Sequence, residues 1–399
     1  MTQPSTSNII ITLTLLTAVP LMSLNMFMPS LGMMAQDFDV GYDTMAVSVS
    51  VYLIFTAVLQ LLAGPVADKL GRRSVLLVGI GIFAAASLGC ALADDFNTFL
   101  FYRILQGAVI TGAVLSRAIV SDVASPKQAA VILGYIGMAM SLAPILAPSI
   151  GGFLSDAAGW RANFWFYAGT GLGLWLLVWA RLPETSSVQN TGTSKFIQSY
   201  LELLKSTRFW AYTLTMAFSI GAFYIFISGL PLVAAEQLGM TQSQTGLAMG
   251  SMTVGFLCGS FLSSRLSSKQ SLNTMILLGR TTATFGLLCC FVLLWAGLVP
   301  PFVLFGGTFF AGLGNGLTIP SASSAILFVR KDLSASASGL FGAVIVVFGA
   351  IFTTITGVIL QNQPTAIALI SLMLALSLVS LSIAFWLWRP TRTESSDAS

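Results

Sequence analysis

"GPVADKLGRR", Gly64–Arg73, concentrates charge in a chain that has little of it. Only 8% of the 399 residues are charged, yet Asp68, Lys69, Arg72 and Arg73 fall within six positions. Long apolar runs lie on both sides of the stretch. Such a pattern is typical of a short loop between two membrane-spanning helices, where basic residues mark the cytoplasmic side.

The composition supports a membrane protein. Hydrophobic residues make up 56% of the chain and the mean hydropathy is +0.88, whereas soluble domains carry about 25% charged residues. The uncharged run from Asn8 to Pro29, 22 residues long, would form roughly 33 Å of helix, which matches a hydrocarbon core of about 30 Å. Barrel strands are only about 10 residues long and alternate in hydropathy. The sequence therefore predicts an all-α membrane protein.

The apolar runs predict twelve transmembrane helices. Their expected bounds are 8–30, 44–67, 74–93, 98–120, 129–153, 162–182, 209–233, 243–264, 272–297, 301–328, 336–360 and 365–388.

The charge pattern of the loops predicts the orientation. An even number of spans places both termini on one side, and Arg161 is the only basic residue expected on the other side. The basic residues expected on the terminal side are Lys69, Arg72, Arg73, Lys127, Arg181, Lys195, Lys205, Arg208, Arg265, Lys269, Arg330, Lys331, Arg389 and Arg392. Because Lys and Arg in short loops stay in the cytoplasm, we expect both termini there.

The longest polar stretch divides the chain in two. We expect a six-helix bundle at residues 1–182, a cytoplasmic linker at 183–208 and a second six-helix bundle at 209–399. Within the linker, "ETSSVQNTGTS" is typical of a flexible segment, and "KFIQSYLELLKSTR" has the apolar spacing of an amphipathic helix on the membrane surface. The loop "GSFLSSRLSSK" faintly repeats "GPVADKLGRR" six spans later, which suggests duplicated, pseudo-symmetric halves.

Several function classes find no support in the sequence. There is no "GK" dipeptide for a Walker A loop, no His, and no Cys pair at metal-ligand spacing. No arrangement of residues for catalysis is visible, so we expect a protein that is not an enzyme and has no cofactor or metal. We also expect no nucleic-acid partner and a monomer in the lipid bilayer.

Ionisable residues within the spans are candidate functional residues, because burying them in a bilayer is costly. Arg103 lies in the fourth span beside Gln106 and Gly107, and could serve function or simply bond a neighbouring carbonyl. Arg280 lies nearer the end of its span, so we expect it to extend to the membrane surface. In the fifth span, "APILAPSIGGFL" has two prolines followed by Gly151 and Gly152, which predicts a kinked, closely packed helix.

These motifs resemble the major facilitator superfamily. "GPVADKLGRR" resembles its loop signature, "YRILQG" its fourth-span motif, and "APSIGG" the fifth-span motif of its drug/proton antiporters, with Ala147 where Gly is usual. "GWRANFWF", "RLPET", "FYIFISGLPLV" and "SRAIVSD" add a likeness to the Bcr/CflA drug-resistance branch. The likeness covers nearly the whole chain.

The resemblance implies roles in gating and coupling. It places Asp68 in contact with the second half of the protein, pairs Arg72 with Asp122, and gives Arg103 a part in proton coupling or substrate orientation. The fifth-span helix would seal one end of the pathway. The residues implied for gating and coupling are Gly64, Asp68, Gly71, Arg72, Arg73, Arg103, Gln106, Gly107, Asp122, Pro148, Gly151 and Gly152.

The first span departs from the branch. Its members usually carry "TDMYLP", whereas this chain has "LNMFMP", so that Asn25 replaces an acid and Phe27 a Tyr. Asn does not titrate. We expect protons to couple through Asp68, Asp122 or Asp37, or coupling to differ, and the cavity to prefer neutral, zwitterionic or anionic compounds.

Helix positions also suggest which residues bind substrate. The candidates are Asn25, Phe27, Met28, Arg103, Met138, Ser141, Phe223, Tyr224, Phe226 and Asn315. The function expected is proton-driven export of small amphipathic compounds across a bacterial inner membrane. The alternative is a dedicated exporter of one metabolite, such as a siderophore, sugar or amino-acid derivative.

Overall fold

The computed structural model describes residues 6–123, 136, 142–143, 146–184, 202–266, 270–298, 301–329 and 334–389. Within these ranges every regular element is a helix. Ten stretches of them are long and apolar enough to cross a membrane. The sixth expected span is the helix Arg161–Arg181, and the fifth is described as a helix over residues 146–158.

The first span is broken near its end. Helix Thr6–Asn25 is followed by a 3₁₀ turn, Met28–Ser30, and then by a second helix, Leu31–Asp37. Pro29 has no backbone N–H, so it occupies the first turn of a new element more readily than the interior of an old one. The expected end at residue 30 is therefore wrong, because the helical segment continues to Asp37.

The opening stretch is mostly helix and not a loop. The second span runs from Tyr42 to Leu70, and the third begins at Arg72. Gly71 alone separates them, with φ of 90°. That left-handed conformation is strained for residues with a Cβ and common for Gly at helix ends. The charges of "GPVADKLGRR" therefore lie on the last turns of one helix and the first turn of the next.

The remaining spans have the following bounds. The fourth comprises Phe96–Gln106, the 3₁₀ turn Gly107–Val109 and Ile110–Val123. The third ends at Ala91, and the seventh to twelfth are Thr207–Glu236, Gln242–Leu266, Leu272–Trp295, Pro301–Val329, Ser334–Asn362 and Ala366–Trp388. Residues 195–201 of the expected amphipathic linker helix lie outside the described residues, and residues 202–204 are helical.

The chain forms two compact units. The first unit comprises Met1–Thr193, Tyr224–Gly250 and Gly349–Thr365. The second comprises Ser194–Phe223, Ser251–Phe348 and Ala366–Ser399. Within the first unit the third span packs on the sixth, and within the second unit the ninth packs on the twelfth. The same pairing thus recurs six spans later, as a duplicated bundle requires.

Candidate functional site

Arg103 lies at the centre of a buried polar network in the first unit. Its side chain is fully buried. Nη1 donates to Gln106 Oε1 at 2.5 Å and to Ser23 Oγ at 3.5 Å, and Nη2 donates to the Ser23 carbonyl at 3.1 Å. Hydrogen bonds to a charged group are stronger than neutral ones, so these contacts fix the guanidinium between the first and fourth spans.

Gln106 extends the network to the third span. Its Nε2 donates to Ser87 Oγ at 2.7 Å, while its Oε1 accepts from Arg103. Both Gln106 and Ser87 are fully buried. Because one amide joins an arginine to a hydroxyl, the first, third and fourth spans are connected by side chains within the membrane interior.

Aromatic rings cover the Arg103 guanidinium. Its Cζ lies 4.2 Å from the ring centroid of Phe27 and 4.1 Å from that of Tyr52. Such cation–π contacts stabilise a desolvated cation by about 2 kcal/mol or more. Among the described residues, no carboxylate contacts Arg103. The positive charge is thus held by neutral acceptors and aromatic rings.

The fourth span changes its helical form directly after this network. The 3₁₀ turn Gly107–Val109 follows Gln106. A Cβ on Gly107 would lie 2.8 Å from Phe55 Cδ1 and 3.2 Å from Thr56 Cγ2. Gly107 therefore allows the second and fourth spans to approach closely, and short 3₁₀ stretches within helices often mark hinges.

Asn25 is buried beside the network but does not join it. Nδ2 donates to the Leu21 carbonyl at 2.8 Å, within its own helix. Oδ1 is buried and accepts no hydrogen bond from the described residues. No hydrogen bond joins Asn25 to Arg103, although Ser23 and Phe27, on either side of Asn25, both contact Arg103.

An ion pair connects the end of the first span to the sixth. Arg161 Nη1 donates to Asp37 Oδ2 at 2.5 Å, and Trp160 Nε1 donates to the same oxygen at 3.0 Å. Arg161 Nη2 also donates to the Ala93 carbonyl at 3.1 Å. We call the part of the first unit around Asp37, Trp160 and Arg161 the Asp37 end.

The fifth-span motif is packed without space for side chains. A Cβ on Gly151 would lie 1.6 Å from the Met26 carbonyl oxygen, and one on Gly152 would lie 2.2 Å from that of Gln242. In turn, a Cβ on Gly246 would lie 2.2 Å from the Pro148 carbonyl oxygen. The backbones of the fifth and eighth spans are therefore in direct contact, as small residues permit in membrane helices.

Asp156 bonds to the start of the eighth span. Its Oδ2 accepts from Ser243 N at 2.8 Å and from Ser243 Oγ, and its Oδ1 accepts from Gln242 N at 3.3 Å. Burial acts to raise the pKa of Asp156, but the hydrogen bonds from Ser243 and Gln242 outweigh it, so the pKa lies below the ordinary value. A carboxylate at a helix N-terminus is also favoured by the helix dipole.

Two further hydrogen bonds join the start of the second span to the seventh and eleventh spans. The Tyr42 hydroxyl donates to the Ser228 carbonyl. Asp43 N donates to Gln361 Oε1 at 2.9 Å. All of these groups belong to the first unit. Within that unit, the second span is thus bonded to the seventh and eleventh, and the fifth span to the eighth.

The Gly71 turn is held by a residue that sequence reasoning missed. Glu184, just beyond the sixth span, accepts from Arg72 N at 2.8 Å and from Arg73 N at 3.2 Å. Arg73 Nη2 donates to the Trp179 carbonyl at 2.7 Å. The signal was present in "RLPET", an acid next to the end of a span, but sequence offers no way to know that it faces the start of the third helix.

Arg280 contradicts its sequence-based prediction. It was expected to extend to the membrane surface, but it is 1% exposed. Nη2 donates to Asn315 Oδ1 at 2.7 Å and Nε to Thr318 Oγ1 at 2.9 Å. The tenth span supplies two neutral acceptors to the guanidinium inside the second unit. Asn315, a predicted substrate-binding residue, lies in this cluster and not beside Arg103.

The other predicted substrate residues have varied surroundings. Phe27, Met28 and Phe226 are fully buried, and Tyr224 is 7% exposed. Phe27 packs on Phe164 with ring centroids 5.7 Å apart. Phe223 is partly exposed. Packing therefore accounts for Phe27, which closes over Arg103.

Some predicted residues lie outside what the structure describes. Met138 and Ser141 are not among the described residues, and the side chains of Asp68 and Asp122 are not described. The expected pairs of Asp68 with the eleventh span and of Arg72 with Asp122 therefore stay predictions. At Gly64, a Cβ would meet no atom of the described residues within 4 Å.

The sequence did not identify the other members of the Arg103 network, two of which contact Arg103 and one of which, Ser87, bonds to Gln106. Ser23, Ser87 and Tyr52 each lie on a different span from Arg103. Serines and tyrosines are common in membrane helices, and only three-dimensional packing separates these from the others. The Gln106 contact was the exception, because a spacing of three places Arg103 and Gln106 on one helix face.

The chain matches a known protein family over most of its length. Residues 13–354 match the family model described as Major Facilitator Superfamily.

The chain belongs to the major facilitator superfamily.

Relatives of this facilitator include named drug-resistance proteins. It is 27% identical over 377 residues to the chloramphenicol resistance protein of Pseudomonas aeruginosa, covering 90% of this chain and 86% of the relative. It is 28% identical over 355 residues to the bicyclomycin resistance protein homolog of Haemophilus influenzae, covering 88% of each. These relatives agree with the resemblance to the Bcr/CflA branch.

The fold of this facilitator matches solved transporters. A crystal structure of a D-xylose-proton symporter superposes with a TM-score of 0.78 at 14% identity, covering 96% of this chain and 97% of the other. At that identity the likeness concerns the fold alone. The predicted all-α fold of the major facilitator type is therefore confirmed, and the protein is a multi-pass membrane protein.

Proposed function

We propose that this protein exports small amphipathic compounds across a bacterial inner membrane by proton antiport and alternating access. The single observation that carries the proposal is the fully buried Arg103 network, which joins the first, third and fourth spans. An ionisable residue kept within the membrane at such cost is a functional candidate. The drug-resistance relatives support an exporter of drug-like compounds.

Arg103 acts in this proposal as a positioning residue. Its bonds to Ser23 and, through Gln106, to Ser87 hold three spans in register. The 3₁₀ turn at Gly107 provides a place where the fourth span can bend when the network changes. Substrate movement is coupled to helix movement because both change the surroundings of the buried Arg103 guanidinium.

The Asp37 end serves as the outer gate. With both termini in the cytoplasm, this end faces the periplasm. Close backbone packing of Gly152 on Gln242 and the Asp156–Ser243 bonds keep it closed. Opening of the outer gate must separate the backbones of the fifth and eighth spans. It must also break the hydrogen bonds of the Asp156 carboxylate, which water can then solvate.

The Gly71 turn forms part of the inner gate. Glu184 fixes the start of the third span. The proposal adds a contact of Asp68 with the second half of the protein and a pair between Arg72 and Asp122. The six-plus-six division of the chain, 1–182 and 209–399 around the linker 183–208, supplies the two bundles that rock against each other.

Proton coupling needs a group that titrates. Asn25 does not titrate, so the candidates are Asp37, Asp68 and Asp122. Asp37 is paired with Arg161, and its protonation would break that ion pair at the outer gate. The transported partners are thus a small molecule and protons, and the working unit is a monomer in the bilayer.

Drug accumulation in cells tests the proposal. Cells that make the protein should accumulate less labelled chloramphenicol, or less of another amphipathic compound in a panel, than cells with an empty vector. Cells that make Arg103→Ala at equal membrane abundance should accumulate as much as the empty-vector cells. If wild-type protein lowers the accumulation of no compound in the panel, the proposed export is wrong.

A further inference from the structure

A second buried arginine cluster lies wholly within the second unit. Arg280, on the ninth span, donates to Asn315 and Thr318 on the tenth. Asn315 Oδ1 also accepts from Ser219 Oγ on the seventh span at 2.7 Å. Arg280, Asn315 and Ser219 are each at most 5% exposed.

Close backbone packing places Arg280 against Asn315. A Cβ on Gly279 would lie 2.6 Å from the Gly314 carbonyl oxygen, and one on Gly314 would lie 2.3 Å from that of Gly279. Each glycine directly precedes a member of the cluster. Because the two backbones touch at these glycines, the next residue on each helix is brought within hydrogen-bonding distance.

The charge of Arg280 is not balanced by its partners. Asn315 and Thr318 are neutral, and in the described part of the chain no carboxylate bonds to Arg280. A guanidinium has five N–H donors, of which these bonds use one on Nε and one on Nη2. Nη1 makes no hydrogen bond to any described residue.

Arg103 also has only neutral partners, and its Nε is buried without a hydrogen bond to the described residues, but its surroundings differ from those of Arg280. Arg103 is covered by the rings of Phe27 and Tyr52 and donates from both Nη atoms. For Arg280, no ring among the described residues covers the guanidinium. Arg280 is therefore oriented by two neutral bonds and retains donors for a charged acceptor.

We propose that Arg280 and Asn315 form a subsite for the anionic group of a transported compound, most simply the carboxylate of an amphipathic organic acid. Arginine binds carboxylates through paired N–H donors, and an anion there would neutralise a buried charge. The proposal rests on the proposed function, because it concerns the compounds that the protein exports.

The cluster is closed in the present conformation. An anion reaches Arg280 only when the seventh, ninth and tenth spans separate within the second unit, which is a gating movement inside one bundle and not the rocking of two. Binding of the anion then stabilises the conformation that exposes Arg280. The substrate class follows from this: organic acids bind more tightly than neutral compounds of the same shape.

Matched acids and amides test the subsite. Binding of naphthoate and naphthamide to the full chain in lipid nanodiscs is measured by calorimetry at neutral pH, with empty nanodiscs as the blank. Wild-type protein should bind the acid more tightly than the amide. Arg280→Gln should weaken naphthoate binding by about 10- to 100-fold, the loss of a charged hydrogen-bonded contact, and leave naphthamide binding nearly unchanged.

Asn315→Asp is a second variant that tests the same subsite if Arg280→Gln does not fold. The new carboxylate pairs with Arg280 inside the protein, so naphthoate affinity should fall while the melting temperature is kept or raised. Thr281→Ala is the control. Thr281 is an exposed neighbour whose hydroxyl bonds to the Leu277 carbonyl of its own helix, so this variant should bind both probes as wild type does.

The outcomes separate this inference from the proposed function. Equal affinity of wild-type protein for acid and amide overturns the subsite, as does a preference that survives both Arg280→Gln and Asn315→Asp. Either result leaves export of neutral compounds intact. Absence of export from cells, with the acid preference present, would instead contradict the proposed function and keep the anion site.

Discussion

Glu184 and Arg72 connect the end of the sixth span to the start of the third: the Arg72 backbone N–H donates to Glu184 Oε1 at 2.8 Å. The same carboxylate accepts from Arg73 N at 3.2 Å. An anion thus lies at the N-terminus of a helix whose first two side chains are basic. The basic residues mark the side of the membrane, and the carboxylate satisfies N–H groups that a helix start leaves without partners.

Neutralising this cap should weaken the fold slightly. We expect Glu184→Gln to lower the free energy of unfolding by about 0.5–1 kcal/mol, because an acid at a helix N-terminus interacts with the helix dipole. Thermal unfolding in detergent measures it. Glu236→Gln is the matched control, since Glu236 ends its helix and should show no loss. Equal effects of the two substitutions would contradict the capping role.

Replacing Arg103 by Lys should impair export and leave the fold intact. An ammonium is a compact charge that cannot reach Gln106, the Ser23 carbonyl and two ring faces at once. We expect export to fall at least about 10-fold, as for loss of one charged hydrogen bond or more. Arg265→Lys is the control, because Arg265 is exposed and its guanidinium lies over the Phe261 ring. Normal export by Arg103→Lys would show that the charge alone suffices.

The Asp156 contact should be insensitive to pH in the physiological range. Its folded pKa lies below the ordinary value, so its stabilisation is fully present above the unfolded value of about 3.9 and is lost as pH falls through the folded pKa. The difference in unfolding temperature between wild type and Asp156→Asn should therefore stay constant from neutral pH to about pH 5. A difference that already shrinks between neutral pH and pH 6 would contradict this, and would make Asp156 a candidate proton carrier.

Asn25→Asp should change the charge preference of transport. Asn25 is 2% exposed, so an acid there would lie in the membrane interior close to residues that contact Arg103. A carboxylate attracts cations, and we expect export of cationic compounds to rise relative to anionic ones. Competition between cationic and anionic dyes in cells measures this ratio. An unchanged ratio would show that position 25 does not face the substrate.

The fold was predictable from the sequence because its determinants are local. Apolar length gives the spans, and basic loops give their expected orientation across the membrane. The errors arose where one residue decides the geometry: Pro29 restarts the first span, and Gly71, with its left-handed backbone, replaces an expected loop with a single residue.

The candidate site was only partly predictable, because the residues that bond to one another there lie far apart in the sequence. Arg103 and Gln106 were identified from their rarity and spacing. Ser23, Ser87 and Glu184 have no distinctive local pattern, and their roles follow from packing. Arg280 was judged by its depth in the span alone, whereas two polar side chains on the next span hold it inside.

The most direct test of the central claim is export from proteoliposomes under an imposed proton gradient. With purified protein and a compound that cells export, a gradient should drive substrate movement opposite to the protons, and an ionophore that collapses the gradient should reduce it to the rate of protein-free liposomes. Arg103→Lys at equal reconstitution should show little response. Substrate movement that is the same with and without the gradient would contradict proton antiport.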